Sequence, residues 1–159
     1  MTDERREAMR AVRAVLWQWG RADRRIAELQ EEIKLAGARM EALYNVGGVR
    51  AMDGQPRSTV PGDPVFRAYE SIERQRELFR AEVEACEEET RREQAFKAAV
   101  GRALKTLPHA QREVITMRYG KGGHTWPYVA VMLQMSESGA KNLDAQACAA
   151  LAGIITVKK

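Results

Sequence analysis

Along residues 8 to 43 apolar side chains return at alternating intervals of four and three: Ala8, Val12, Val15, Trp19, Ala22, Ile26, Leu29, Ile33, Ala36, Met40 and Leu43. This is a heptad a/d pattern, with charged stretches such as "RADRR" and "QEE" between the apolar positions. Residues 3–45 hold no proline and only two glycines, Gly20 and Gly37. The pattern predicts one long helix with a single apolar stripe that must be buried against something.

The rhythm stops at "NVGGVRAMDGQPRSTVPGDP", where Gly-Gly, Asp-Gly and three prolines are turn chemistry. A flexible loop is expected over 46–63. Its Arg50 and Arg57 suit phosphate, but the density of glycine, proline and serine points to disorder. Helical spacing resumes after Asp63-Pro64, an N-cap followed by a proline suited to the first turn. Val65, Tyr69, Ile72, Phe79, Val83 and Cys86 keep the four-three spacing, with Arg76 in one seam position. "EEETRREQ" then reads as a slip of phase, and a new stripe starts at Phe96, Val100, Ala103, Leu104 and Leu107. The expected fold is all-α: a long antiparallel, coiled-coil-like helical hairpin over 1–95, followed by a small domain over 96–159. The stripes are expected to pair within one chain and between two. Val12, Val15, Trp19, Ile26, Leu29, Ile33, Met40 and Leu43 are then the candidate oligomerisation residues, and Trp17 beside Trp19 is read as core.

The last third has shorter periods. Leu107-Pro108 opens a helix, "PHAQREVITMRYG", with Val114, Ile115, Met117 and Tyr119 apolar and Gly120 as its stop. "GKGGH" reads as a flexible connection. Thr125 suits an N-cap for "WPYVAVML", with Pro127 in the first turn, and Gln134-Met135 make a tight turn. Ser136 caps a final helix whose apolar face is Ala140, Leu143, Ala147, Cys148 and Leu151. Two short helices joined by a brief turn behind a supporting helix form a helix-turn-helix, with the small Ala130 at the crossing. Helical phase puts Ser138, Lys141, Asn142 and Ala145 on the outer face of the second helix. In such motifs that face reaches base edges: Asn pairs with adenine, Lys with guanine or phosphate.

Charge sharpens this picture. The chain has 26 Lys and Arg against 22 Asp and Glu, a net charge of +4. Residues 96–159 carry 9 basic against 3 acidic groups, so a polyanion is expected to meet the C-terminal module only. The recognition helix itself holds Lys141 as its one basic residue, with Glu137 beside it. Arg112, Arg118, Lys121, Lys158 and Lys159 are the candidates to make up the deficit, and Thr125, Tyr128 and Ser136 complete the candidate DNA-binding set.

The segment "LPHAQREVITMRYGKGGHTWPYVAVMLQMSESGAKNLDAQACAAL" resembles region 4 of sigma-70-type transcription factors. The matched features are the Leu107-Pro108 start, the Glu113-to-Tyr119 helix, Val129, Ala130 and Leu133 after Thr125, and Ala140, Leu143, Ala147 and Leu151 after Ser136. The hairpin-then-module layout is similar to phage late-gene transcription regulators of the ArpU/RinA type. The resemblance implies a phage or prophage regulator that binds double-stranded promoter DNA as a dimer and contacts RNA polymerase. The sequence departs from the pattern at Glu137, Ser138 and Gly139, where basic or polar DNA contacts are usual, and at Gln134, which replaces a turn glycine.

Two other readings stay open. A small terminase-like DNA-packaging subunit also joins such a module to oligomerising helices, and would form a ring. A protein-interaction module that has given up DNA accounts for Glu137 and the charge-poor helix. Catalysis is not expected: His109 and His124 have no nucleophile or carboxylate at a telling spacing, and "GKGGHT" lacks the phosphate-loop pattern. Cys86 and Cys148 have no metal-ligand spacing and read as small buried hydrophobes, with nothing requiring a disulfide, so no metal and no cofactor are expected. A charged start, "MTDERREAMR", and the lack of a long apolar run predict no membrane segment and a cytoplasmic protein.

Overall fold

A computed structural model describes residues 3–44 and 64–155, and these residues form five helices. They are α1 (Asp3–Tyr44), α2 (Pro64–Lys105), α3 (His109–Tyr119), α4 (Trp126–Met132) and α5 (Glu137–Ala152). The fold is all-α, with a long helix pair followed by a small helical domain, as the periodicity predicts. The loop expected at 46–63, with Arg50 and Arg57, lies outside the described residues, as do Lys158 and Lys159. Among the described residues no helix is long and apolar enough to cross a membrane.

Contacts divide the chain into two units. The first joins Met1–Arg25 to Glu93–Lys159, and the second is Ile26–Arg92. In the first, Met9, Val12 and Leu16 of α1 share one core with Val100 and Leu104 of α2, Ile115 and Tyr119 of α3, and Cys148 and Leu151 of α5. The start of α1 is therefore part of the core around the short helices. Its buried stripe also differs from the expected seam: Met9 and Leu16 are buried, Val15 and Trp19 are only half-buried, and Ala8 is exposed. A heptad seam assumes one partner helix. Here α1 is covered by α2, α3 and α5 together, so the buried arc widens beyond two positions per heptad. Burying a leucine such as Leu16 in full is worth about 1.5–3 kcal/mol.

Gly20 permits the close approach of α1 to α3. A Cβ there would overlap the Tyr119 carbonyl, so any larger residue would push the elements apart. A smaller second cluster of Val114, Val129 and Ala140 holds α3, α4 and α5 together, with Leu133 and Leu143 against it.

Within Ile26–Arg92, the seam follows the expected positions: Leu29, Ala36 and Cys86 are buried, while Ile26, Ile33, Met40, Leu43, Tyr69, Ile72, Phe79 and Val83 are half-buried. Cys86 Sγ lies 3.5 Å from Glu32 Oε2. Burial, then the Glu32 contact, pushes the Cys86 thiol pKa up. Both cysteines are free and buried.

The phase slip expected at "EEETRREQ" does not occur. Helix α2 is uninterrupted, and its less exposed positions run Tyr69, Ile72, Arg76, Phe79, Val83, Cys86, Thr90, Glu93, Lys97, Val100 and Leu104 at unbroken four-three spacing. Thr90, Glu93 and Lys97 are the polar seam positions of this stretch. Thr90 Oγ1 donates to the Cys86 carbonyl (2.8 Å), and Lys97 pairs with Asp23. The apolar alphabet alone hides such positions.

Candidate nucleic-acid interface

Helices α4 and α5 and the turn between them form the helix-turn-helix, with α3 behind. Leu133 ends α4, and its N–H bonds to the Val129 carbonyl at 3.0 Å. Gln134 follows in the left-handed region at φ +52°, the only such non-glycine among the described residues. A side chain in this conformation is strained where glycine would not be. The Met135 N–H then returns to the Ala130 carbonyl (3.0 Å), which closes the turn over the buried Ala130.

Ser136 starts α5 as its sequence position predicts: its Oγ accepts from the Gly139 N–H at 3.0 Å. Gly139 costs helix propensity, yet a Cβ there would stand 3.1 Å from that same Oγ. Thr125 occupies the N-cap of α4, but its hydroxyl makes no capping bond. Pro127 in the second helical position has no N–H to offer. The Thr125 carbonyl still accepts from Val129 (3.0 Å).

On the outer side of α5, Ser138, Lys141 and Asn142 are exposed, as helical phase requires. Ala145 is half-buried and packs against the main core, away from that face. Lys141 Nζ lies 3.1 Å from Glu137 Oε2, so the one basic group of α5 is paired with its neighbour. On α4, Tyr128 is exposed and stacks on His124 with ring centroids 4.3 Å apart. Val131 (75% exposed) and Met132 (52%) add to an uncovered apolar surface on this short helix.

The connector expected to be flexible is a tight turn. Gly123 N–H donates to the Gly120 carbonyl (2.8 Å), and His124 N–H to that of Arg118 (3.3 Å). Gly123 has φ +59°, and a Cβ there would run into the Trp17 ring, so both backbone and packing favour glycine. Lys121 is exposed in this turn. Arg118 is half-buried: its guanidinium lies 5.0 Å from the Trp17 ring and 4.9 Å from Trp126, and it bonds the His124 carbonyl. Trp17 meets Tyr119 edge-on at 5.0 Å, which makes it the core residue expected.

Sequence reasoning missed the polar centre that fixes α5. Asp144 is 1% exposed. Its Oδ2 accepts from Arg13 Nη2 (2.8 Å) and Nε (3.2 Å), and its Oδ1 from the Tyr119 hydroxyl (2.9 Å). Cys148 Sγ lies 3.7 Å from the same Oδ1. One carboxylate thus ties α1, α3 and α5, and its charge is compensated where it is buried. Burial and the Asp144 charge push the Tyr119 phenol well above its ordinary pKa, and the same causes push Cys148 up to about 12. For Arg13, burial works against the charge, but the bonds and charge of Asp144 outweigh it and leave the pKa raised. A signal was present in the sequence: Asp144 falls four residues after Ala140 and three before Ala147, on the apolar face of its helix.

No curated protein and no solved structure matches the chain. Residues 103–152 match the family model described as Sigma-70, region 4, which covers the end of α2 and all of α3, α4 and α5. That segment is a sigma-70 region 4-like helix-turn-helix domain, a DNA-binding fold.

Proposed function

We propose that this protein is a sequence-specific transcription regulator that binds promoter DNA as a dimer, contacts RNA polymerase and belongs to a phage or prophage of the ArpU/RinA regulator type. The observation that carries the reading is α5. It is capped by Ser136, locked from behind through Asp144, and presents Ser138, Lys141 and Asn142 outward. A helix held this way offers base-reading side chains on a rigid element. Dimerisation is supported by the half-buried Ile26, Ile33, Met40 and Leu43, and by Leu35 and Leu78, which stand 51% and 65% exposed on the long helices. Two modules on one duplex would also compensate for a helix whose only lysine is paired.

Selection from a randomised duplex pool with the full-length protein, alongside its mass by light scattering, tests this. The reading expects a dimer mass and an enriched motif, with preference relaxed at one base position in Asn142→Ala at a cost of about 1–3 kcal/mol. A pool that stays random and unbound at low salt would sink it. A second reading, a module that docks a protein, draws on the exposed Tyr128, Val131 and Met132 of α4 and on the Glu137–Lys141 pair.

A further inference from the structure

We infer that the first third of α1 is a second DNA-binding surface, whose exposed Arg10 and Arg21 contact the phosphate backbone of the duplex read by α5. The inference rests on the DNA-binding reading and deepens it by assigning the phosphate grip to a different helix.

The charge on α5 leaves that grip unfilled. Its charged side chains are Glu137, Lys141 and Asp144; the first two pair with each other, and the third is held by Arg13. Affinity for a duplex comes largely from neutralising phosphates, so other elements must do it. The contact units show where the charge is. Met1–Arg25 with Glu93–Lys159 carries 16 Lys and Arg against 8 Asp and Glu, while Ile26–Arg92 carries 10 against 14. Seven of those 16 are arginines in the first 25 residues, a segment outside the matched 103–152.

This part of α1 is fastened to the reading helix. Arg13 holds Asp144, Met9, Val12 and Leu16 enter the same core as Cys148 and Leu151, and Trp17 packs on Tyr119. Arg10 and Arg21 are exposed and eleven residues apart. At about 100° and 1.5 Å per residue they lie within about 20° of the same face, roughly 16 Å apart. Ala14, Trp17 and Gln18 lie between them on that side, none of them acidic, and Asp23 is paired with Lys97. Glu93 is the carboxylate that borders the open groove beside Trp17, Gln18 and Arg21. The surface is a positive stripe, complementary to a phosphate chain.

The test is fluorescence anisotropy of the full-length protein on a labelled 30-base-pair duplex across a salt series. Wild type is compared with Arg10→Gln/Arg21→Gln, with Arg10→Lys/Arg21→Lys, and with Arg74→Gln/Arg80→Gln, which removes the same charge from exposed positions of the other unit. Each phosphate contact contributes about 0.9 to the slope of log affinity against log salt, so the first variant is expected to lose about 1.8. The lysine variant should keep the wild-type slope, and so should the Arg74/Arg80 control. An unchanged slope in the first variant, or an equal loss in the control, overturns the inference and leaves DNA binding standing. Wild type that binds no duplex overturns both.

Discussion

A single carboxylate, Asp144, decides how α5 is held, and its neighbours record that in their acid–base behaviour. The Cys148 thiol ionises at about 12 in the fold against an ordinary 9.0, and Tyr119 is raised from 10.0. A raised pKa means that the folded state retains its proton longer than the unfolded chain. The contribution to stability is therefore complete below the unfolded value and is lost as pH climbs from about 9 towards the folded value. Stability is expected to be level from pH 7 to 8.5 and to fall from about pH 9 upward, first through Cys148 and then through Tyr119, with Cys86 adding in the same direction. Each proton contributes at most about 1.4 kcal/mol per pH unit. Urea midpoints at pH 7.5, 9, 10 and 10.5 measure this, and Cys148→Ala should flatten the early part of the decline. A midpoint unchanged to pH 10.5 would contradict the buried cluster.

At the scale of elements, α1 holds two glycines with opposite meanings. Gly20 is pressed on the Tyr119 carbonyl, whereas nothing lies within 4 Å of a Cβ at Gly37. Alanine gains about 0.5–1 kcal/mol over glycine inside a helix, and at position 37 that gain should appear in full as a higher urea midpoint. Gly20→Ala has the same intrinsic gain but must separate α1 from α3, so a net loss of about 1–3 kcal/mol is expected. Two substitutions of the same kind in one helix should then shift the midpoint in opposite directions. The sequence already showed that α1 exists and that its distal stripe runs through Leu29 and Ala36. The Leu107-Pro108 start, the Ser136 cap and the exposed Ser138, Lys141 and Asn142 were also legible, because caps and short periods are local. Met9 and Leu16 were not, since heptad spacing assumes one neighbour and α1 has several. Thr90 and Lys97 broke the apparent register of α2 because a seam position filled by a paired polar group looks like solvent-facing sequence. The Arg13–Asp144 pair was out of reach for the same reason at longer range: nothing local to either residue names its partner.

For the molecule as a whole, the contact units place the start of the chain with its last third. A fragment of residues 93–159 contains the matched 103–152 segment but lacks Met9, Val12, Leu16 and Arg13. It would expose the core face of α5 and leave Asp144 without its cation. Such a fragment is expected to show poor amide dispersion and no cooperative melt, while a fusion of residues 1–25 to 93–159 through a glycine-serine linker should restore both. A sharply folded 93–159 fragment would show that α1 is dispensable to the module. The two units also differ in sign, net positive over Met1–Arg25 with Glu93–Lys159 and net negative over Ile26–Arg92. A polyanion is therefore drawn to one unit and turned away from the other.

The hydrogen bonds between Arg13 and Asp144 span 131 residues of chain. At about 5–20 residues per second, a ribosome makes Arg13 roughly 7–26 s before its carboxylate exists. Throughout that interval the new α1 carries Met9, Val12 and Leu16 with only part of their eventual cover, and the last contacts to form are among the most distant in the chain. Helix α5 takes its final position only on copies synthesised past Leu151, and a chain abandoned before Asp144 lacks the carboxylate that ties α1, α3 and α5 together.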